Sequence, residues 1–205
     1  MADTAGHLVS VGASPRRSLA DRDDEALMLL AAAGHRAAFE VLVRRYLPKL
    51  TNYCSKYVGS NRVGEELAQE TLLEAWAQRH RYQGRGKLHV YLFVLARNRC
   101  RNQLRNEGRR RWFWFGDPVH EAGGDVAAGG PDQLDRMVEE ERCRRVRTCL
   151  LNLSPKLREA VLLRFDQGLD YAEVARIVGR SEETMRSRVF LALKQLRSEA
   201  AGGEP

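Results

Sequence analysis

The chain has 205 residues, of which 43% are hydrophobic and 30% are charged, and its formal net charge is +7. This composition supports helical cores of modest size, and no apolar run approaches the roughly 20 residues of a membrane span, which excludes an integral membrane protein. The four cysteines form no CxxC pair, the five histidines are scattered and no catalytic motif occurs, so we expect no metal, no cofactor and no enzymatic activity.

The first part of the chain is patterned for helices. Residues 1–20 lack both periodicity and the apolar core of a secretory signal, which predicts a disordered tail on a cytoplasmic protein. A short helix is predicted from Asp23 to Ala33, with Gly34 as its stop. Apolar residues at spacings of three and four then predict a long helix between Phe39 and Tyr57, which Pro48 should bend.

The most informative stretch runs from Glu65 to Arg111, where an acidic segment is followed at once by a basic one. The segment EELAQETLLEAW contains four glutamates and no lysine or arginine, whereas Arg79–Arg111 contains eleven lysines and arginines and one acid, Glu107. Two adjacent surfaces of opposite charge indicate two partners. A polyanion such as nucleic acid suits the basic surface, and a protein suits the acidic one.

Helical periodicity divides this stretch into two helices. The first is predicted from about Val63 to His80, and a glycine-containing loop from Gln83 to Lys87 leads to the second. Arg97, Arg101 and Arg105 follow at intervals of four on the side opposite the apolar face of the second helix. This spacing predicts a basic stripe along one side of the helix.

The pattern changes between residues 112 and 133, where Gly, Ala, Pro and Asp predict a flexible linker. From Asp117 to Glu141 there are eight acids and one base, Arg136, so this segment would repel DNA or occupy a basic channel in a partner. The aromatic cluster Trp112–Phe115 stands just before it. We expect the cluster to plug the first domain, with stacking on unpaired bases as the alternative.

The second half carries a helix-turn-helix pattern. Helical periodicity returns from Leu134 to Leu153, and Ser154, which a proline follows, marks the start of the next helix. In the segment YAEVARIVGRSEETMRSRVF, the small Ala175, the turn former Gly179 and the apolar Met185 have the spacing of a helix-turn-helix.

The second helix of this motif is expected to face DNA. Ser181 caps its start, where backbone donors and the helix dipole suit a phosphate. Its outward residues are predicted to be Glu182, Glu183, Arg186, Ser187 and Phe190.

Each pattern also has a simpler interpretation. Small helical hairpins outside DNA-binding proteins share the spacing, but the cluster of Arg180, Arg186 and Arg188 favours DNA. The eleven lysines and arginines and single acid of Arg79–Arg111 give more positive charge than solubility requires. The acidic helix, taken alone, would be only an exposed charged face with i,i+4 support.

Taken together, these segments resemble a bacterial RNA polymerase sigma factor of the extracytoplasmic-function (ECF) group of the sigma-70 family. DDEALMLLAAAGHRAAFEVLVRRY is similar to the opening of the family's second conserved region, and EELAQE to the stretch that grips the clamp helices of the polymerase. RYQGRGKLHVYLFVLARNRCRNQLR resembles the part that captures and melts the downstream promoter element. LNLSPKLREAVLLRFDQGLDYAEVARIVGRSEETMRSRVFLALKQLR resembles the fourth conserved region, which reads the upstream element as duplex.

The resemblance implies an all-α fold of two small helical domains joined by a flexible linker, the C-terminal one a helix-turn-helix. Residues 1–20 would be the tail, 21–111 a region 2-like domain, 112–133 the acidic linker and 134–200 a region 4-like domain. The expected function is to bind core RNA polymerase and direct promoter-specific initiation, including melting. Expected partners are core RNA polymerase, promoter DNA and an anti-sigma factor, with no membrane insertion.

Three surfaces are expected from the resemblance. The polymerase-binding residues are Glu65, Glu66, Gln69, Glu70 and Leu73. The residues for the downstream single strand are Arg79, Tyr82, Lys87, Tyr91, Arg97, Asn98, Arg101 and Arg105. The residues for the upstream duplex are Arg180, Ser181, Glu183, Thr184, Arg186, Ser187, Arg188 and Phe190.

The sequence departs from the family pattern at several positions. Tyr91 stands where tryptophan is frequent, and Asn102 where aspartate is common. In the recognition helix Glu183 replaces a frequent glycine, and Leu191 and Leu193 replace usual arginines. These changes lower the positive charge of that helix and predict an unusual promoter sequence or a duplex affinity that relies more on polymerase.

Two other functions are compatible with parts of the sequence. A stand-alone helix-turn-helix regulator would use only the second domain, with the first as a dimerisation or sensing module. A sigma-mimicking adaptor would bind partners without promoter activity. The acidic face around Gln69 and Leu73 argues against the regulator, whereas the departures in the recognition helix are compatible with the adaptor.

Overall fold

The computed structural model describes residues 18–84, 87–113 and 133–201, and all regular structure in these ranges is helical. This confirms the all-α expectation. The helices, in chain order, are α1 Asp24–Ala32, α2 Arg36–Val58, α3 Asn61–Ala77, α4 Leu88–Phe113, α5 Gln133–Asn152, α6 Pro155–Val161, α7 Tyr171–Val178 and α8 Glu182–Ala201. Short 3₁₀ turns lie at Leu19–Asp21 and Arg79–Arg81, and a π-helical turn at Leu162–Asp166 follows α6.

Local sequence signals set several of these helix ends. The Asp23 side chain accepts a hydrogen bond of 2.7 Å from the Ala26 amide and so caps α1. Helix α2 runs through Pro48 and is capped at its C-terminus by Gly59, whose φ of 83° lies in the left-handed region that glycine adopts without strain. Helix α4 extends to Phe113, two residues into the predicted linker, because no helix-breaking residue follows Arg111 until Gly116.

The predicted role of the cluster Trp112–Phe115 and most of the predicted linker lie outside the described residues. Within the described part of the chain, no helix is long and apolar enough to cross a membrane.

Helices α1 to α4 form a first group around one apolar core. The side chains of Leu50 and Tyr53 in α2 and of Leu92 and Phe93 in α4 are almost completely buried there. The rings of Tyr53 and Phe93 meet edge to face, with centroids 5.4 Å apart, which is a favourable geometry for aromatic pairs. Burial of such large apolar side chains, rather than helix propensity, holds these four helices together.

The two cysteines of this core are free. Cys54 and Cys100 are fully buried between α2 and α4. A hydrogen bond with Cys54 and burial together hold the pKa of the Cys100 thiol well above its ordinary value. Cys100 therefore acts as a small apolar group rather than as a nucleophile.

Gly64 permits the closest approach of α2 and α3. A Cβ added at Gly64 would lie 2.5 Å from the Cα of Ser55, and backbone at this distance cannot move aside without displacing α2. Gly108 in α4, by contrast, has nothing within 4 Å of the added Cβ.

Alanine at Gly64 is therefore expected to destabilise the first group. Overpacking costs roughly 1–3 kcal/mol, which lowers the melting temperature by several degrees in a thermal melt followed by circular dichroism. Gly108→Ala is the matched control, because it replaces a glycine of an exposed helical position and should stabilise by about 0.5–1 kcal/mol. Equal melting temperatures for Gly64→Ala and the unmodified protein would contradict the close-packing argument.

Helices α5 to α8 form a second group that contains the predicted helix-turn-helix in α7 and α8. Asp170 and Glu173 form a reciprocal capping box at the start of α7. Gly179 ends α7 with a φ of 69°, and Met185 of α8 is fully buried under the turn. The roles predicted for the glycine and the methionine are confirmed.

The two groups lie against each other, an arrangement that the sequence leaves open. The Asn52 side chain of α2 donates a hydrogen bond of 2.8 Å to Asp166 of the π-helical turn, and Lys56 forms an ion pair with the same carboxylate. On the other side of the interface His89 Nε2 of α4 lies 2.7 Å from Glu173 Oε1 of α7. These are two of the places at which polar side chains join the groups.

Arg158 of α6 is buried at the centre of the contact. It donates to the Tyr57 carbonyl oxygen of α2 at 2.5 Å and to the carbonyl oxygens of Leu150, Leu151 and Leu153 in its own group. Burial lowers the pKa of the Arg158 guanidinium, although nearby Tyr57 opposes this shift. These four carbonyl groups replace the water that a buried guanidinium loses.

Candidate polymerase and promoter surfaces

The predicted polymerase-binding residues form one exposed strip along α3, which we call the α3 acidic face. Glu65, Glu66, Gln69, Glu70 and Leu73 are all exposed, and they are spaced along a single side of the helix. The Leu73 side chain is 67% exposed although it is large and apolar. Solvation does not require such a side chain at the end of a charged strip, and this favours a binding role.

An apolar groove of about 560 Å³ lies beside the α3 acidic face. Gln69, Leu73 and Trp76 of α3 line one wall, and Phe39 and Val43 of α2 line the other. The rings of Phe39 and Trp76 pack with centroids 5.0 Å apart. Packed aromatic rings thus form part of the groove wall. An apolar side chain of a partner could contact Leu73 and the groove at the same time.

Two glutamates of the α3 acidic face already form intramolecular ion pairs. Glu66 pairs with Arg62 at 2.8 Å, one helical turn away, and both side chains are exposed. Glu70 pairs with Arg99 of α4 at 2.5 Å, and the same arginine reaches Glu74 at 2.8 Å. Arg99 therefore ties α4 to α3, and one of the eleven bases is committed to the neighbouring acidic face rather than to an external anion.

The predicted single-strand surface contains two aromatic side chains, Tyr82 and Tyr91. The rings of Tyr82 and Tyr91 lie with centroids 5.5 Å apart. The Tyr82 hydroxyl donates to Glu25 at 2.7 Å, and the Leu88 amide at the start of α4 donates to the same carboxylate at 2.6 Å. Burial and the hydrogen bond to Glu25 raise the pKa of Tyr82. Glu25 therefore fixes both the tyrosine and the beginning of α4.

Tyr82 and Tyr91 line a pocket of about 530 Å³ together with Lys87 and Arg81. The pocket also receives Arg176, which belongs to α7 in the second group. Aromatic rings beside cations suit a nucleobase and its phosphate.

The predicted residue Arg79 lies at the end of α3 near this pocket. Its guanidinium carbon is 3.9 Å from the centroid of the Trp76 ring, and its Nη1 donates to the Trp76 carbonyl oxygen at 2.8 Å. Arg79 is thus held in a defined position by stacking and by one hydrogen bond.

The basic stripe of α4 is only partly as predicted. Asn98, Arg101 and Arg105 are exposed, but Arg97 is 7% exposed and its Nε lies 2.8 Å from Glu159 Oε2 of α6. The expectation that Arg97 lies on the exposed side is therefore wrong for this arrangement of the two groups. The reason is the docking of α6, which supplies a buried carboxylate at that point.

The recognition helix α8 presents most of its predicted residues to solvent. Arg180, Ser181, Glu183, Arg186 and Ser187 are exposed, and Phe190 is 67% exposed. Thr184, also among the predicted residues, is half-buried, and its amide donates to Ser181 Oγ at 3.2 Å, which confirms the predicted cap. The Arg186 guanidinium carbon lies 4.5 Å from the centroid of the Tyr171 ring, which holds the arginine at the edge of the helix.

Arg188 differs from its neighbours on α8. It is half-buried, and its Nη1 lies 3.2 Å from Glu159 Oε1. Arg97, Glu159 and Arg188 thus form one buried set of charges across the interface, which we call the Glu159 cluster. The prediction of Arg188 as a freely available phosphate-binding residue does not hold in this arrangement.

Sequence reasoning missed three residues that organise these surfaces. Glu25, Arg158 and Glu159 act through contacts that are distant along the chain, and no periodicity reports such contacts. For Arg158 and Glu159 one signal was available: both lie in the short helix α6, which otherwise buries apolar side chains such as Val161. Charged residues within an otherwise buried helix are rarely left without partners.

Comparison with known proteins agrees with this geometry. Residues 42–110 match the family described as Sigma-70 region 2, and residues 143–196 match Sigma-70, region 4. The ECF RNA polymerase sigma-E factor of Escherichia coli strain K12 is 32% identical over 174 residues, which cover 82% of this chain and 90% of that protein. The protein of the same description from Haemophilus influenzae is 28% identical over 186 residues, 84% of this chain and 93% of that one.

Solved structures show the same architecture. The sigma factor RpoE from Bartonella quintana, solved in complex with the anti-sigma factor NepR, matches with a TM-score of 0.66 and 26% identity, over 81% of this chain and 98% of that chain. This chain therefore contains both conserved regions of the family, and its fold is similar to that of the solved sigma factor. The chain belongs to the extracytoplasmic-function sigma factors of the sigma-70 family.

Proposed function

We propose that this chain functions as a sigma factor that binds core RNA polymerase and directs promoter-specific initiation. Each of its three surfaces makes one of the contacts that this function needs. The α3 acidic face binds the polymerase, the Tyr82–Tyr91 pocket and the basic stripe take the melted downstream strand, and α8 reads the upstream element. The observation that carries this proposal is the exposed Leu73 beside an apolar groove, on the same helical group as the tyrosine pocket. Binding of polymerase thereby places the pocket beside the DNA to be opened.

Strand capture follows from the geometry of the pocket. Extruding a base from the duplex costs a few kcal/mol, and stacking on an aromatic side chain returns roughly 1–3 kcal/mol per base. Tyr91 offers a ring for stacking, whereas the hydroxyl of Tyr82 is oriented by Glu25. Asn98, Arg101 and Arg105 lie further along α4, where they would hold the phosphates of the same strand.

Upstream recognition uses the exposed side of α8. Arg186 and Ser187 would face base edges in the major groove, and Phe190 would contact a thymine methyl group. Arg180, Ser181 and Thr184 would hold phosphates at the start of the helix, where backbone donors and the dipole favour an anion.

The closed arrangement must open for this function. Arg97 and Arg188 are engaged in the Glu159 cluster, and Arg176 of α7 enters the tyrosine pocket. Separation of the two groups frees Arg97 and Arg176, whereas Arg188 stays paired with Glu159 within the second group. We propose that polymerase and promoter together favour the open arrangement, because each group then gains its own contacts.

The proposal also includes the location of the chain, its lack of catalytic chemistry and one further partner. The chain would act in the cytoplasm as a positioning subunit without catalytic chemistry of its own. An anti-sigma factor would be a further partner, since RpoE of Bartonella quintana was solved with one.

Run-off transcription with core polymerase and a library of promoters tests the proposal directly. Addition of the chain should produce initiation from a subset of promoters. A chain that binds polymerase but yields no promoter-specific product would be an adaptor, and one that binds duplex DNA but not polymerase would be a stand-alone regulator.

Replacing Tyr91 by alanine is expected to impair promoter opening. Loss of one stacking partner costs roughly 1–3 kcal/mol, a reduction of about 5- to 150-fold in open complex on a linear promoter, measured by permanganate reactivity of unpaired thymines. Tyr91→Phe retains the ring and should stay near the unmodified protein. On a pre-melted promoter bubble the alanine defect should shrink, and an equal defect on both templates would argue against a role in opening.

A further inference from the structure

A strongly basic cleft lies between the two helical groups. It has a volume of about 670 Å³, and α4 forms one side of it while α6, α8 and the turn before α8 form the other. Six lysine and arginine side chains line it: Arg97, Arg101, Arg105, Lys156, Arg180 and Arg188. The cleft exists only while the two groups are in contact, because neither group supplies all of these side chains.

The positive charge of the cleft is poorly compensated. Glu159 is the one carboxylate lining it among the described residues, and this side chain is 2% exposed. Its two oxygens are already occupied, one by Arg97 and the other by Arg188. Across the described ranges no acidic side chain pairs with Arg101, Arg105, Lys156 or Arg180, the other four cations of the cleft.

Four like charges facing one another raise the free energy of the closed arrangement. They repel each other across a space with low-dielectric walls, and an anion in that space removes the repulsion and adds hydrogen bonds. The electrostatics of the cleft therefore favour an occupant with several negative charges.

We propose that this interdomain cleft binds a small ligand that carries several contiguous phosphates. Five of the six cations are arginines, whose planar guanidinium groups match phosphate oxygens in bidentate geometry. The volume lies in the range of small-molecule sites, which is roughly 300–1,000 Å³. Four uncompensated cations match the charge of a triphosphate, and a double helix does not fit a space of this size.

Binding would stabilise the closed arrangement, because the ligand touches cations from both groups at once. A ligand that binds only the closed form at 100 times its dissociation constant shifts the equilibrium toward that form about 100-fold. If α4 and α8 bind promoter DNA as proposed above, the same ligand would withhold Arg97, Arg101 and Arg105 from the promoter.

Calorimetric titration of the full chain, without polymerase or DNA, tests the site. Inorganic tripolyphosphate and ATP are the two probes, and sulfate at matched ionic strength is the control. We expect saturable binding of one probe molecule per chain, with a decrease in the radius of gyration measured by small-angle scattering. Binding of both probes assigns recognition to the phosphate chain, whereas binding of ATP alone adds recognition of the nucleoside.

A matched pair of variants locates the site. Lys156 is exposed at the start of α6 in the cleft, and Lys194 is also exposed, on α8, but does not line the cleft. Lys156→Gln should weaken tripolyphosphate binding roughly fivefold, the effect of losing one nearby unit charge in water, and Lys194→Gln should leave it unchanged.

Three results would overturn the assignment: equal weakening by both variants, binding that does not saturate, or sulfate that competes as well as tripolyphosphate. Tighter binding of a hexaglutamate peptide than of tripolyphosphate would reassign the cleft to an acidic peptide. These measurements contain no polymerase or promoter. A negative result would therefore contradict the ligand site and would not bear on the proposed function in transcription, which the run-off experiment tests separately.

Discussion

Replacement of Glu159 by glutamine is expected to separate the two helical groups. In the closed arrangement Glu159 supplies the negative charge for both Arg97 and Arg188, and the glutamine would leave two largely buried cations without a counter-ion. Removing one partner of a buried ion pair costs roughly 3–5 kcal/mol. This cost raises the free energy mainly of the closed arrangement, because water hydrates Arg97 once the two groups separate.

Small-angle scattering measures this opening. The radius of gyration of Glu159→Gln should exceed that of the unmodified chain, and its helical circular dichroism should be retained because each group keeps its own core. Glu182→Gln is the matched control: Glu182 forms an exposed i,i+4 pair with Arg186, which contributes less than about 1 kcal/mol. An unchanged radius for Glu159→Gln would show that the Glu159 cluster does not hold the groups together.

The second large effect is expected at Leu73. Aspartate at this position removes an apolar side chain that lies beside the groove and introduces a carboxylate that a partner would have to desolvate. The lost burial of leucine is about 1.5–3 kcal/mol, and the desolvation of the carboxylate adds to it. Affinity for core polymerase should therefore fall by about 100-fold or more, measured by fluorescence anisotropy of the labelled chain.

An exposed leucine elsewhere provides the comparison. Leu191 on α8 is 52% exposed, and Leu191→Asp should leave polymerase affinity unchanged in an assay without DNA. Charge reversal at Glu70 is a weaker test, because it also breaks the ion pair with Arg99 and can disturb the packing of α3 on α4. Equal losses of affinity for Leu73→Asp and Leu191→Asp would show that the α3 acidic face is not the binding surface.

Local patterns predicted the helices because their causes are local. The Asp23 and Ser181 caps, the Gly179 turn and the buried Met185 each depend on residues within a few positions along the chain. The exposure of Leu73 also follows from its position on the helix, since apolar Leu72 already faces the core. These features needed only the helical period and the chemistry of capping residues.

Contacts between distant parts of the chain were beyond such reasoning. Arg97 and Arg101 are four residues apart on α4 and equivalent in periodicity, yet Arg97 is buried because α6 brings Glu159 to it and Arg101 is exposed. The partner is 62 residues away. Glu25 likewise reaches Tyr82 across 57 residues. The exposure of each arginine in the basic stripe therefore depends on tertiary packing. The helical period of the sequence does not predict this exposure.

The hydrogen bonds of Arg158 add little to the cost of separating the two groups. Of its four carbonyl acceptors, three belong to its own group and only that of Tyr57 lies across the interface. When the groups part, the guanidinium keeps three bonds and water replaces the fourth, and Arg188 keeps Glu159 because both belong to the second group. Arg97 and Lys56 each lose a carboxylate of the second group, so opening leaves two cations of the first group available to new counter-charges.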